Sequence, residues 1–189
     1  MVDLEIKKRL WRELANSQMI LSYIEELYDE TNRSHLQQAE IFFRHMYRIM
    51  VDDFVLGIIK LFDPAKTDRQ ENFTLCSALN LNDIGQLNLS KDEVDAYKRL
   101  KILRHKCLAH LDRRTEKANI YNTYGDIIDD GKMLLIFAWK KYQEYIGPEI
   151  MNIPDAPKDP VRKLVGSLKR SKYMREKAKD VNDLSKDYL

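Results

Sequence analysis

The chain has 189 residues, with 32 basic and 30 acidic side chains and a formal charge of +2. Hydrophobic residues make up 44% and charged residues 33%, which is too apolar for a wholly disordered chain and sufficient for one buried core. Six glycines and five prolines are few for a sandwich or propeller built on tight turns, and no apolar run nears the roughly 18 residues of a membrane span. The charged N-terminus, Met-Val-Asp-Leu-Glu-Ile-Lys-Lys, lacks the apolar stretch of a signal peptide, so a soluble, cytoplasmic chain is expected.

Helical periodicity dominates. Leu10, Leu14, Leu21, Ile24 and Tyr28 predict a long helix over about residues 3–31. A second is predicted over 36–62, with Tyr47, Met50, Val51, Phe54, Ile58 and Leu61 on one stripe. Its last turns, Phe54 to Phe62, are apolar almost all round, which argues for burial between other helices. Asp63-Pro64 should end it, because a residue before proline is pushed out of the α region.

A polar loop and a short helix near 73–80 come next. Ser90-Lys-Asp-Glu93 is a capping box, and the helix it opens should run to about Asp112. Met133 to Ile146 is a further apolar segment, stopped by Gly147-Pro148. Four of the five prolines fall between Pro148 and Pro160, which reads as a linker. Beyond it, Val161, Leu164, Val165, Leu168 and Tyr173 form the thin apolar stripe of a last basic helix. The expected architecture is all-α: an up-and-down four-helix bundle over 1–147 with an extra short helix, a linker over 148–160 and a basic helical tail over 161–189.

The near-zero net charge hides a segregation. Residues 97–114 carry +6 and residues 158–179 carry +7, leaving −11 on the rest. Two basic segments on an acidic body point to a polyanionic partner. Cys76 and Cys107 form no C-x-x-C, and the four histidines include no H-x-x-x-H, so neither a metal nor another cofactor is expected.

The segment from Leu103 to Asp112, Leu-Arg-His-Lys-Cys-Leu-Ala-His-Leu-Asp, could carry chemistry. On a helical wheel, Ala96, Leu100, Leu103, Cys107 and Leu111 form one apolar stripe. Arg104 and His110 flank it, each roughly 60° from its centre and about 9 Å apart along the axis. His105, Lys98, Lys101 and Asp112 fall on the opposite face. An arginine offers planar paired donors to phosphate, and a histidine trades a proton near neutral pH. Cys107 reads as a small core residue rather than a nucleophile. Tyr121 and Tyr124 are either base-stacking groups or packing anchors.

Arg104-x5-His110 fits the R-x4–6-H signature of the HEPN superfamily, and Arg-His-Lys-Cys-Leu-Ala-His-Leu-Asp resembles the R-N-K-x-x-A-H-x-D form of its abortive-infection branch. The upstream Leu61-Phe62-Asp63-Pro64 and Asn72-Phe-Thr-Leu75 are also similar to that branch, so the resemblance spans about residues 3–147. It implies a metal-independent endoribonuclease of an antiviral or toxin–antitoxin system, in which the ribose 2′-OH attacks the adjacent phosphate. His110 would be the general base or acid, and Arg104 would hold the scissile phosphate. His105, standing where the branch has asparagine, would orient substrate or supply the second acid/base function. Lys101, Lys106 and Arg113 would contact RNA phosphates. The partners so implied are RNA, a second copy completing a composite Arg/His cleft at the motif helix, and an antitoxin or other protein. Two rival readings are a non-catalytic helical module binding RNA or a protein, and a plain oligomerisation protein with a structural Arg/His pair.

Overall fold

The computed structural model describes residues 4–29, 40–67, 70–105 and 123–146. Among them are helices α1 (Leu4–Tyr28), α2 (Glu40–Leu61), α3 (Leu75–Ala78), α4 (Lys91–Leu103) and α5 (Tyr124–Ile146), with a 3₁₀ turn over Ile84–Leu87. The protein is mostly helical. Two two-residue strands, β1 (Lys66–Thr67) and β2 (Gln70–Glu71), pair antiparallel between α2 and α3, where a plain polar loop was expected. The linker and basic tail expected after Ile146 lie outside the described residues.

α1 lies along α2, α5 packs against α1, α2 and α4, and α3 is wedged against α1 and α5. One apolar cluster joins them. Leu10, Leu14, Leu21 and Ile24 of α1 meet the buried face of α2, including Phe54, Ile58 and Leu61. Ala96 and Leu100 of α4, and Leu134, Ala138 and Tyr142 of α5, complete it. The helical stripes in the sequence are therefore the ones that fold inward. Leu56 is the exception in the apolar end of α2: it points outward, away from the core.

Local chemistry sets the helix starts. The Ser90 hydroxyl accepts the Glu93 N–H at 3.3 Å, and the Glu93 carboxylate accepts the Ser90 N–H at 2.7 Å, the reciprocal box expected from the sequence. α5 begins nine residues earlier than its apolar run, because Thr123 and Asp126 make a similar reciprocal pair at 2.9 and 3.2 Å. Two glycines let helices approach closely. A Cβ at Gly57 would stand 2.8 Å from Ser17 Oγ on α1, and one at Gly131 of α5 would strike the ring of Phe54 on α2. No helix among the described residues is long and apolar enough to cross a membrane.

Candidate functional site

The site gathers where the end of α4 meets the end of α2. Regular α geometry in α4 stops at Leu103, and Arg104 and His105 continue in a wider π-type turn. The Arg104 N–H reaches the carbonyls of both Leu100 and Lys101. Such a turn rotates side chains relative to a regular helix and is common where function needs them re-aimed.

Arg104 is gripped by Asp63. Its Nη1 donates to Asp63 Oδ1 at 2.8 Å and to Oδ2 at 2.9 Å, across 41 residues of sequence. The arginine side chain is 31% exposed and the aspartate 23%, so the pair sits at the rim of the core with solvent on one side. Asp63 is itself held in a fixed turn. Its N–H bonds the Lys60 carbonyl at 3.4 Å as α2 ends. Asn72 then pins the following chain, donating Nδ2 to the Pro64 carbonyl at 2.9 Å and N–H to the Ala65 carbonyl at 2.8 Å. Because Asp63 uses Nη1 alone, Nε and Nη2 of Arg104 face no carboxylate among the described residues, and a phosphate could take them as paired donors.

His105, next along the turn, is exposed, in keeping with the solvated face the wheel gave it. Lys101 is exposed one turn earlier, with its ammonium 5.4 Å from the centre of the Tyr97 ring. Arg104, His105 and Lys101 thus share one end of α4. His110, Lys106 and Arg113, with Cys107, lie outside the described residues.

Two further results modify the charge reading. Arg99 was counted with the basic segment, yet it makes a two-bond ion pair with Asp130 of α5: Nε to Oδ2 at 2.8 Å and Nη2 to Oδ1 at 2.7 Å. Asp130 is buried, so this pair clamps α4 to α5. With Arg104 held by Asp63, both described arginines of the basic segment answer acids of the body. The local field is weaker than +6 implies. Tyr124 packs edge-on against Tyr47, with ring centres 5.6 Å apart, and serves as a packing anchor.

The apolar stripe of α4 is also accounted for. Ala96 and Leu100 are fully buried in the chain's own core and Leu103 packs at its edge. Ala96 and Leu100 are therefore not open to a second copy, whereas Leu103 keeps partial exposure. Cys76 of α3 is buried, and this burial, with the nearby Asp83 carboxylate adding to it, pushes its thiol up to about 11. That environment makes it inert rather than nucleophilic. Among the described residues no three His, Cys, Asp or Glu side chains come together as a metal-binding group.

Sequence reasoning found Arg104 but gave Asp63 no role at the site, taking it as a helix stop and as part of the upstream resemblance. The one available signal was the pairing of an Asp-Pro helix end with an asparagine eight residues on. Comparison of the chain with protein families, curated proteins and solved structures gives no significant match.

Proposed function

We propose that this protein is a metal-independent endoribonuclease of the HEPN type, acting as a cytoplasmic toxin or antiviral effector, with Arg104 and His110 as its working pair. The observation that carries the reading is the aimed guanidinium at the end of α4: Arg104 is anchored through one nitrogen by Asp63, while Nε and Nη2 face no carboxylate among the described residues. An arginine so held loses less conformational freedom when it binds a phosphate oxygen. In this reading His110 moves the proton of the attacking 2′-OH or of the leaving 5′-oxygen. Lys101, Lys106 and Arg113 add phosphate contacts, and His105 orients the substrate. The fold expected with it is an up-and-down four-helix bundle. In this reading the site is a composite one, shared between two copies whose motif helices meet near Leu103, Cys107 and Leu111.

The test is incubation of the purified full chain with total RNA in EDTA, beside Arg104→Ala and His110→Ala. Each substitution should slow cleavage by about 100-fold or more, and the products should carry cyclic phosphate and 5′-OH ends. Equal activity in all three chains would end the assignment. The second reading, a helical module that binds RNA or a protein without cutting, is favoured by one fact: Arg99 and Arg104 both already answer carboxylates. Binding with no cleavage would select it.

A further inference from the structure

The end of α1 and the start of α5 leave an open groove of about 350 Å³ between them. Ile24, Glu25 and Asp29 line it from one side, and Ile128, Asp129 and Lys132 from the other. Ile24 is buried and Ile128 half-buried, which makes the floor apolar, whereas all three carboxylates are exposed. Lys132 is the one cation among the lining residues, and it already answers Glu25 at 2.7 Å. Asp129 has no ion-pair partner among the described residues. The last turn of α1 adds to the negative field, because it carries no basic residue to offset the carbonyls at that helix end.

An apolar floor with an acidic rim repels a polyanion and suits a cationic segment with an apolar edge. The chain's own sequence supplies one. Read as the helix its pattern predicts, residues 161–172 place Val161, Leu164, Val165 and Leu168 within a sector of about 100°. Arg162 and Lys169 fall together on one flank of that sector, about 10 Å apart along the axis. The connection is long enough. Ile128 lies eighteen residues before Ile146, or about 27 Å back along α5. Residues 147–160 precede the segment, and a proline-rich stretch of fourteen residues at about 3.1 Å each spans about 43 Å. The segment therefore reaches the groove of its own chain.

We propose that residues 161–172 dock in cis in the groove between the end of α1 and the start of α5, with their apolar edge against Ile24 and Ile128 and with Arg162 and Lys169 towards Asp29 and Asp129. The proposal does not rest on ribonuclease activity. Tethering raises the local concentration of the segment to about the millimolar range, so a contact too weak to join separate molecules suffices. Part of the +7 on residues 158–179 is then answered by the acidic body of the same chain.

The experiment is hydrogen–deuterium exchange on the full chain, read by mass spectrometry over residues 161–172. A helix this short is marginal in water, so slow exchange there reports docking. Asp129→Lys, an exposed change on α5, turns an attraction into a repulsion and should speed exchange of the segment by about tenfold, while the amides of α1 and α5 stay as slow as in wild type. Leu164→Glu with Leu168→Glu, which leaves the body untouched, should do the same from the other side. Combining Asp129→Lys with Arg162→Glu and Lys169→Glu should recover most of the lost protection. A segment that exchanges as fast in wild type as in Asp129→Lys would overturn the proposal, and so would protection that appears only when RNA is added. Protection that rises with protein concentration would overturn docking in cis, and protection indifferent to Asp129→Lys would overturn the groove as its seat.

Discussion

Gly131→Ala sets two known effects against each other, and the structure decides the sign. In the interior of a helix, alanine is better than glycine by about 1 kcal/mol, so propensity alone predicts a more stable protein. The new methyl, however, would stand 3.1 and 3.3 Å from Cζ and Cδ1 of Phe54 and nearer still to Cε1. That is the rim of an aromatic ring at Cε1, not the end of a flexible chain. Phe54 is wholly buried between α1, α2 and α5, so the ring has nowhere to move without displacing its neighbours. Overpacking of this kind costs about 1–3 kcal/mol, and three close ring atoms put the site near the upper end. After the propensity gain, a net loss of about 1–2 kcal/mol remains, or a fall of roughly 3–6 °C in Tm for a chain of this size. Urea unfolding followed by circular dichroism measures it directly. Gly125→Ala is the control, because its methyl meets only Thr123 Oγ1, at 3.3 Å; its stability should stay within about 0.5 kcal/mol of wild type. Phe54→Leu in the Gly131→Ala background should give back about 1 kcal/mol relative to the sum of the single changes. A Gly131→Ala protein as stable as wild type, or more so, would refute the close-packing argument.

The Arg99–Asp130 clamp should show in a double-mutant cycle. Asp130→Ala is expected to cost about 1.5–3 kcal/mol, less than a fully buried pair because Arg99 keeps contact with solvent, and a coupling energy below about 0.5 kcal/mol would sink the clamp. Ser90→Ala removes the acceptor of the Glu93 N–H and should cost about 1 kcal/mol in the same urea assay, whereas an unchanged midpoint would mean α4 does not depend on its cap. Cys76 has a folded pKa near 11 against an ordinary 9.0, so its thiol form is favoured by the fold. That contribution is complete below pH 9 and is lost as the pH rises towards 11. Denaturation midpoints should therefore fall across that interval, less steeply in Cys76→Val, and parallel curves for the two chains would remove the thiol from the account.

What was legible in the sequence follows from how local the cause is. α1, α2 and the start of α4 are written in stripes and a capping box, all acting within a few residues of themselves. The first nine residues of α5 were not legible, because Gly125, Gly131 and the acids Asp126, Asp129 and Asp130 interrupt the apolar pattern. Two of these residues have partners elsewhere: Asp130 answers Arg99, and Gly131 makes room for Phe54. The β1–β2 pairing is too short to leave an alternating pattern. At the candidate site, the border position of Arg104 could be read from the wheel. Asp63, 41 residues away, could not, because only the tertiary fold brings the ends of α2 and α4 together.

Asp63 pulls on the proposed ribonuclease function in two directions, and their sizes determine which prevails. A carboxylate beside a phosphate-binding arginine repels the phosphate. With the phosphate on the far side of the guanidinium, roughly 6–7 Å from Asp63, the repulsion is about 1–3 kcal/mol across the range from water-like to protein-surface screening. The attraction between guanidinium and phosphate at about 4 Å is larger under the same screening, about 1–4 kcal/mol, because the distance is shorter. Asp63 also removes rotamer freedom from Arg104 before any ligand arrives, and that freedom is worth up to about 2 kcal/mol in a long side chain. The Coulomb difference is small and positive, and the pre-organisation adds to it. An arginine held by one nitrogen can therefore still attract a phosphate, weakly but with fixed geometry. Such a site discriminates by position more than by charge. Under the proposed function, with both described arginines of the basic segment tied to acids, RNA affinity would come from elsewhere on the surface and Arg104 would hold a single phosphate.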